Sequence, residues 1–318
     1  MAYATLNFYP NKDPKMRFFA LWYFCTLLIL WTILGDTVLG FEQSYAQPIV
    51  AVLTACVVAF LLEWLDAKVN NRTPRFAGSW RNAVNFLPPC IIPGLACAML
   101  IYPNERLSPI VFAAAMSLAS KVLIRAPIGN GQTQHVFNPS NLGITLTLLL
   151  LPAAGLAPPY QFTENITGLW HWVIPALILG TGTIIHGKFT GRLPLVSAWF
   201  IGFAAQALIR SMIFHTPLAV PFLPMTSAGF ILFALYMIPD PATTPIKPLR
   251  QVLFGLSVAT LYALLFVAHV VYGLFLALAL TSATRGISLW VNAQLKRKPA
   301  PQPVMRVRER PQVAIAGD

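Results

Sequence analysis

The chain has 318 residues, of which 57% are hydrophobic and only 10% charged, against about a quarter charged in a soluble domain. That balance excludes an ordinary soluble globular domain, and the chain is better counted in membrane spans of roughly 20 residues. The net charge of +12 suits the cytoplasmic loops of a membrane protein. No basic stretch is interleaved with aromatics, so no nucleic-acid partner is expected.

Residues 1–17 are polar and precede the first apolar run. No small-residue cleavage site follows that run, so the segment reads as a cytoplasmic N-terminal segment and not as a cleavable signal. Ten apolar runs then predict spans at roughly 18–36, 46–65, 84–102, 108–125, 136–153, 169–186, 193–212, 219–238, 251–269 and 272–291. Residues 18–292 thus form one transmembrane domain of an all-α polytopic membrane protein. Pro88, Pro89 and Pro93 predict a kink or break in the third span. Asn138-Pro139 predicts that the fifth begins as a half-helix, with Asn138 as its N-cap. Residues 293–318 shift to Lys, Arg, Pro and Gln and read as a disordered basic cytoplasmic tail.

Charge tests the span count. With the N-terminus inside, Lys15, Arg17, Lys68, Arg72, Arg75 and Arg81 fall on the cytoplasmic side. So do Lys121, Arg125, Lys188, Arg192, Lys247 and Arg250, while only Arg106 and Arg210 fall outside. This asymmetry predicts ten spans with both termini in the cytoplasm. Ten spans also permit two halves of five, which must then be inverted in the membrane.

Two polar strings interrupt the apolar background. The first, GNGQTQHVFNPSNLG (129–143), offers Gln132, His135, Asn138 and Asn141 as uncharged or weakly basic hydrogen-bonding groups beside a helix start. The second, MIPDPATTPIKPLR (237–250), carries Asp240, Thr243 and Thr244 where Asp240-Pro241 ends the eighth span. Lipid leaves no water to satisfy such groups, so strings of this kind are buried in protein or line a site. Both lie on the cytoplasmic side of the predicted topology, which points to one shared site.

The remaining polar residues carry less. Cys25, Cys56, Cys90 and Cys97 sit in apolar runs without a CxxC pair or a histidine at ligand spacing, so they read as small buried hydrophobes and no metal site is expected. His171, His186, His215 and His269 lie near span ends as capping or solvated groups, and Glu63 and Asp66 read as interfacial. No GxSxG, HExxH, P-loop or GxGxxG motif supports a hydrolase or a nucleotide-driven mechanism.

The strings carry a resemblance. GQTQHVFNPSNLGI resembles the GQNxFNPxxxG element of the RnfD/NqrB family, the membrane subunits of Rnf and sodium-pumping NADH:quinone oxidoreductase complexes. YMIPDPATTPIKPLRQVLFG is similar to that family's FxxTDPxxxxTTPxGRLIFG element. The likeness covers roughly 85–290, with order and separation agreeing, and it is nearest to the divergent UnbU-type branch. HGKFTGRLPLVSAWFIGF matches the corresponding family segment poorly. The resemblance implies ten spans in two inverted halves with broken helices, a bacterial inner-membrane location, flavin cofactors and electron transfer with redox partner subunits. It places riboflavin or FMN, held non-covalently, among Gln132, His135, Phe137, Asn138, Asn141, Asp240, Thr243 and Thr244, with Phe137 or Trp80 stacking on the ring. Complex-forming members bind FMN covalently through an SGAT threonine. The corresponding loop here, AGLAPPYQFTENITGLW (154–170), has no SGAT, so covalent FMN is not expected. Two other readings stay open: a transporter or channel-like protein that kept the fold without the flavin, and a membrane scaffold for a biosynthetic complex.

Overall fold

A computed structural model describes residues 13–129 and 131–296. The described chain is dominated by helix, 71% overall, with almost no sheet. The helices are α1 (Pro14–Leu34), α2 (Ala46–Val69), α3 (Trp80–Phe86), α4 (Pro88–Leu100), α5 (Ser108–Leu123), α6 (Pro139–Leu150), α7 (Trp170–Ile184), α8 (Leu193–Phe214), α9 (Ala228–Leu232), α10 (Pro248–Val267) and α11 (Gly273–Leu295). Many start with proline in the first turn, where its missing N–H costs nothing. Side chains of Asp13, Ser79, Asn138 and Ser227 accept backbone N–H groups at their caps.

Among the described residues, seven helical segments are long and apolar enough to cross a bilayer, and a pair bent by 72°, Val220–Thr226 and Gly229–Met237, makes an eighth if counted as one span. The other two apolar runs become short helices. α5 has 16 residues and α6 has 12, lengths of about 24 and 18 Å against a hydrocarbon core of about 30 Å. Two antiparallel ribbons account for the shortfall. β2 (Arg125–Gly129) and β3 (Gln132–His135) form a hairpin between α5 and α6. β1 (Ile101–Tyr102) pairs with β4 (Gly155–Leu156) where the same two helices have their other ends. The expected break in the third span falls at Leu87, between α3 and α4. α1 starts at Pro14, so its first turn includes Lys15 and Arg17, earlier than expected. α11 runs to Leu295, and the tail reading for 297–318 lies outside the described residues.

Two features position the site. First, α1 and α7 run antiparallel: Phe19 of α1 meets Phe189 after α7, with ring centroids 5.7 Å apart, while Asn165 N before α7 donates to Leu39 O after α1. Each helix ends in a π turn, Gly35–Leu39 and Ile185–Thr190. Each π turn closes on a left-handed glycine, Gly40 (φ 79°) and Gly191 (φ 62°), a conformation open to glycine without steric cost. Second, the chain's last broken segment, α9 continued by the π turn Phe233–Met237, ends where α6 begins.

The interior holds an aromatic cluster of Trp199, Phe203, Phe230, Phe233 and Tyr262. The exterior is equally apolar. Ile49, Leu53, Val57 and Leu61 on α2, and Ile201 and Ile209 on α8, are all more than half exposed. A surface of this kind is at home in lipid, and polar helical backbone groups are satisfied internally, as a bilayer requires.

Candidate functional site

The two polar strings meet. Asn138 sits just before α6; its Oδ1 accepts from Asn141 N (3.1 Å) and from Ser140 Oγ (2.9 Å), closing the first turn. Its Nδ2 donates to Met237 O (2.9 Å), the last residue of the π turn before the second string. One amide therefore caps the start of one broken helix and ties it to the end of another. Three residues past that π turn, Asp240 is brought to His135, with Oδ2 3.7 Å from Nε2.

Asp240 is the centre of a small hydrogen-bonded turn. Its Oδ1 accepts from Ala242 N (3.1 Å) and its Oδ2 from Thr243 Oγ1 (3.1 Å), while its carbonyl accepts from Thr244 Oγ1 (2.6 Å). Burial pushes the Asp240 carboxyl up, but the His135 contact and the donors from Ala242 and Thr243 outweigh it and hold the group below the ordinary carboxylate range. It is ionised at neutral pH.

Arg192, between the second π turn and α8, is only 1% exposed. Its Nε donates to Thr244 Oγ1 (2.8 Å), its Nη2 to Pro241 O (3.1 Å) and its Nη1 to Thr190 O (3.2 Å). Burial pushes it down to about 10, so it keeps its charge at neutral pH. His186, in the same π turn, has Nδ1 2.8 Å from Thr190 Oγ1 and Nε2 against Leu235 O. A carbonyl only accepts, so Nε2 carries the proton and Nδ1 accepts from the threonine. Behind His135, the Gln134 side-chain oxygen, with its amide assigned by hydrogen bonding, accepts from Arg285 Nη1 (2.9 Å) and Nη2 (2.8 Å).

These groups bound a cavity of about 570 Å³. Lys121, His135, Asn138, Ser140, Arg192 and Asp240 form its polar part. Phe24, Leu28, Ile92, Met99, Leu232 and Tyr236 form its apolar part. The rings of Phe24 and Tyr236 stack at 5.2 Å and 14°. A second, larger and mainly apolar basin of about 1640 Å³ is lined by the 156–160 segment, α7, the Val220–Thr226 turn and residues 269–275. Leu100, at the end of α4, lines both.

The eight residues expected around a cofactor divide. His135, Asn138 and Asp240 line the smaller cavity. Thr243 and Thr244 are buried behind it, where they brace Asp240 and Arg192. Asn141 is buried between helices and donates to Phe275 O (3.1 Å). Gln132 stands exposed on the β3 ribbon, Phe137 is half-buried, and neither lines the cavity. Trp80 is 72% exposed on α3. The helix start at Asn138 gives its Asn141 N–H to its own cap, leaving less for a guest than the bare motif implies. Lys121, His186, Arg192 and Tyr236 were not on the sequence-based site list, yet they line the cavity. Lys121, His186 and Arg192 sit at span ends, where such groups read as interfacial or snorkelling, and Tyr236 belongs to no motif; closure of the bundle turns all four toward the cavity. Among the described residues no group of three or more His, Cys, Asp or Glu could hold a metal ion.

No protein-family model matches the chain, and no curated protein matches it. The apolar exterior and the seven long apolar helices make it a multi-pass membrane protein of predominantly helical fold.

Proposed function

We propose that this protein is an RnfD/NqrB-like membrane subunit that holds a flavin non-covalently between its two polar strings and exchanges electrons with a redox partner subunit in the bacterial inner membrane. The supporting observation is the cavity itself. It lies where the two motif-bearing strings meet, falls within the few-hundred to 1,000 Å³ range of small-molecule sites, and combines a hydrogen-bonding part with an aromatic wall of Phe24 and Tyr236. The flavin would supply the redox chemistry, and the protein would bind, orient and tune it. Ten spans in two inverted halves belong to the same reading. It is supported by the antiparallel α1 and α7, which end alike in a π turn and a left-handed glycine.

The test is direct. Purified full-length protein, or protein titrated with riboflavin or FMN, should show bound-flavin absorbance and quenched flavin fluorescence. Protein that carries no flavin and takes up neither compound would overturn the reading.

One observation favours a second reading. The small cavity and the large basin share Leu100 as a lining residue, as two vestibules of a transport pathway separated by a gate would. Substrate-dependent opening at Leu100, seen as labelling of a Leu100→Cys variant that changes with a transported solute, would favour transport over electron transfer.

A further inference from the structure

The charges around the small cavity do not balance. Asp240 is the one acid among its described lining residues, whereas Arg17, Lys121 and Arg192 also line it. Asp240 acts electrostatically on Lys121, Arg192 and Arg285. Yet both Asp240 oxygens are already occupied by Ala242, Thr243 and His135. Arg192 is bonded only to neutral oxygens, and Arg285 to the Gln134 amide. The Lys121 side chain, in the last turn of α5, makes no hydrogen bond or ion pair to any described residue and lines the cavity. Setting Arg17 aside, Lys121, Arg192 and Arg285 leave an excess of two positive charges around one carboxylate. Unbalanced charge inside a membrane protein is costly unless a counter-ion answers it.

We propose that the polar end of this cavity is an anion subsite for a phosphate monoester, with Lys121 as its contacting charge and Arg192 as the fixed charge behind. A phosphate monoester carries about −1.5 to −2 near pH 7, which matches the excess. A lysine suits phosphate as a mobile point charge. The adjoining apolar part, with Phe24, Leu28, Met99 and Tyr236, requires that the phosphate end an amphiphile. The inference rests on the flavin reading for the body of that ligand but not for its head. On that reading the flavin is FMN and not riboflavin. A lipid such as phosphatidic acid offers the same head group from another source.

The experiment compares FMN, riboflavin and phosphatidic acid on the full chain in micelles, for the wild type, Lys121→Met and Lys121→Arg. Lys121→Met keeps the length of the side chain, and Lys121→Arg keeps the charge. Flavin fluorescence quenching reads affinity, and the thermal midpoint reads lipid binding and confirms folding. FMN is expected to bind roughly tenfold more tightly than riboflavin, the ratio set by one modest ionic contact. Lys121→Met should bring FMN to the riboflavin level and leave riboflavin unchanged, and Lys121→Arg should restore the preference. Equal affinity for FMN and riboflavin in the wild type would overturn the subsite while leaving the flavin reading standing. Stabilisation by phosphatidic acid that Lys121→Met abolishes, with no binding of either flavin, would uphold the subsite and overturn the flavin reading. No Lys121-dependent effect with either phosphate compound would overturn the subsite.

Discussion

Asp240 holds its place through contacts to both of its carboxylate oxygens, from Ala242, Thr243 and His135, and it is the residue on which the polar part of the cavity turns. Its ionised form is the one these donors favour, so its pKa lies below the ordinary 3.8. A carboxylate depressed in the folded state contributes stability above that ordinary value and loses it as pH falls through the folded value. The thermal midpoint of the purified protein should therefore drop as pH is lowered to 4 and below. Asp240→Asn should lose about 2 kcal/mol at neutral pH, where donors to a charged group are lost, and should show a shallower decline with acid; a full pH series of thermal melts on both proteins checks this. At this scale the sequence was legible where the chemistry is local. Asn138 caps α6 because an Asn-Pro pair is built for that role, whereas the eighth helical segment ends at Met237, ahead of Pro239, and so stops short of the Asp240-Pro241 pair expected to end it. The inward roles of Lys121 and Arg192 were not legible, because a cation at a span end has the same appearance whether it reaches for a headgroup or for a cavity.

At the scale of elements, the recurring device is the interrupted helix. α3 and α4 break at Leu87, α6 starts short at Pro139, α9 gives way to a π turn, and α1 and α7 each end in one. These breaks expose backbone groups within the bundle, and side chains take them up: Asn138 reaches Met237 O, His186 reaches Leu235 O and Gln251 reaches Gly191 O. Gly191 is the hinge of this arrangement, because its left-handed φ directs Arg192 back toward Thr244. Gly191→Ala should cost about 1 to 2 kcal/mol from the steric penalty of that conformation, and Gly191→Asn less, since asparagine tolerates it; denaturant or thermal unfolding of the three proteins decides. Proline-driven breaks could be read from the sequence. The β2–β3 hairpin could not, because GNGQTQ offers no apolar alternation to mark a strand. The π turns leave no signature in apolar periodicity either.

For the molecule as a whole, the apolar runs found in the sequence are all helical over part of their length, and the difference lies in how many cross the membrane alone. Periodicity reports greasiness, whereas crossing is set by length, and two ribbons divide the α5–α6 region into pieces too short to span by themselves. The charge asymmetry predicts that the cavity side faces the cytoplasm. With the native cysteines replaced by alanine, Leu169→Cys and Leu249→Cys, both highly exposed, place one probe at each end of the bundle. A membrane-impermeant maleimide should label position 169 and not 249 on intact cells, and the reverse pattern would invert the topology.

The π turns after α1 and α7 bear on how this chain tolerates changes in length. A π turn holds one residue more than the α turn it replaces, so removing one residue there lets the backbone relax to an ordinary turn with its flanks still in register. The same deletion elsewhere in a span rotates everything beyond it by about 100°, carrying inward-facing side chains toward lipid. Gly35–Leu39, Ile185–Thr190 and, by the same argument, Phe233–Met237 are therefore places where relatives of this protein can differ by a single residue without losing the bundle.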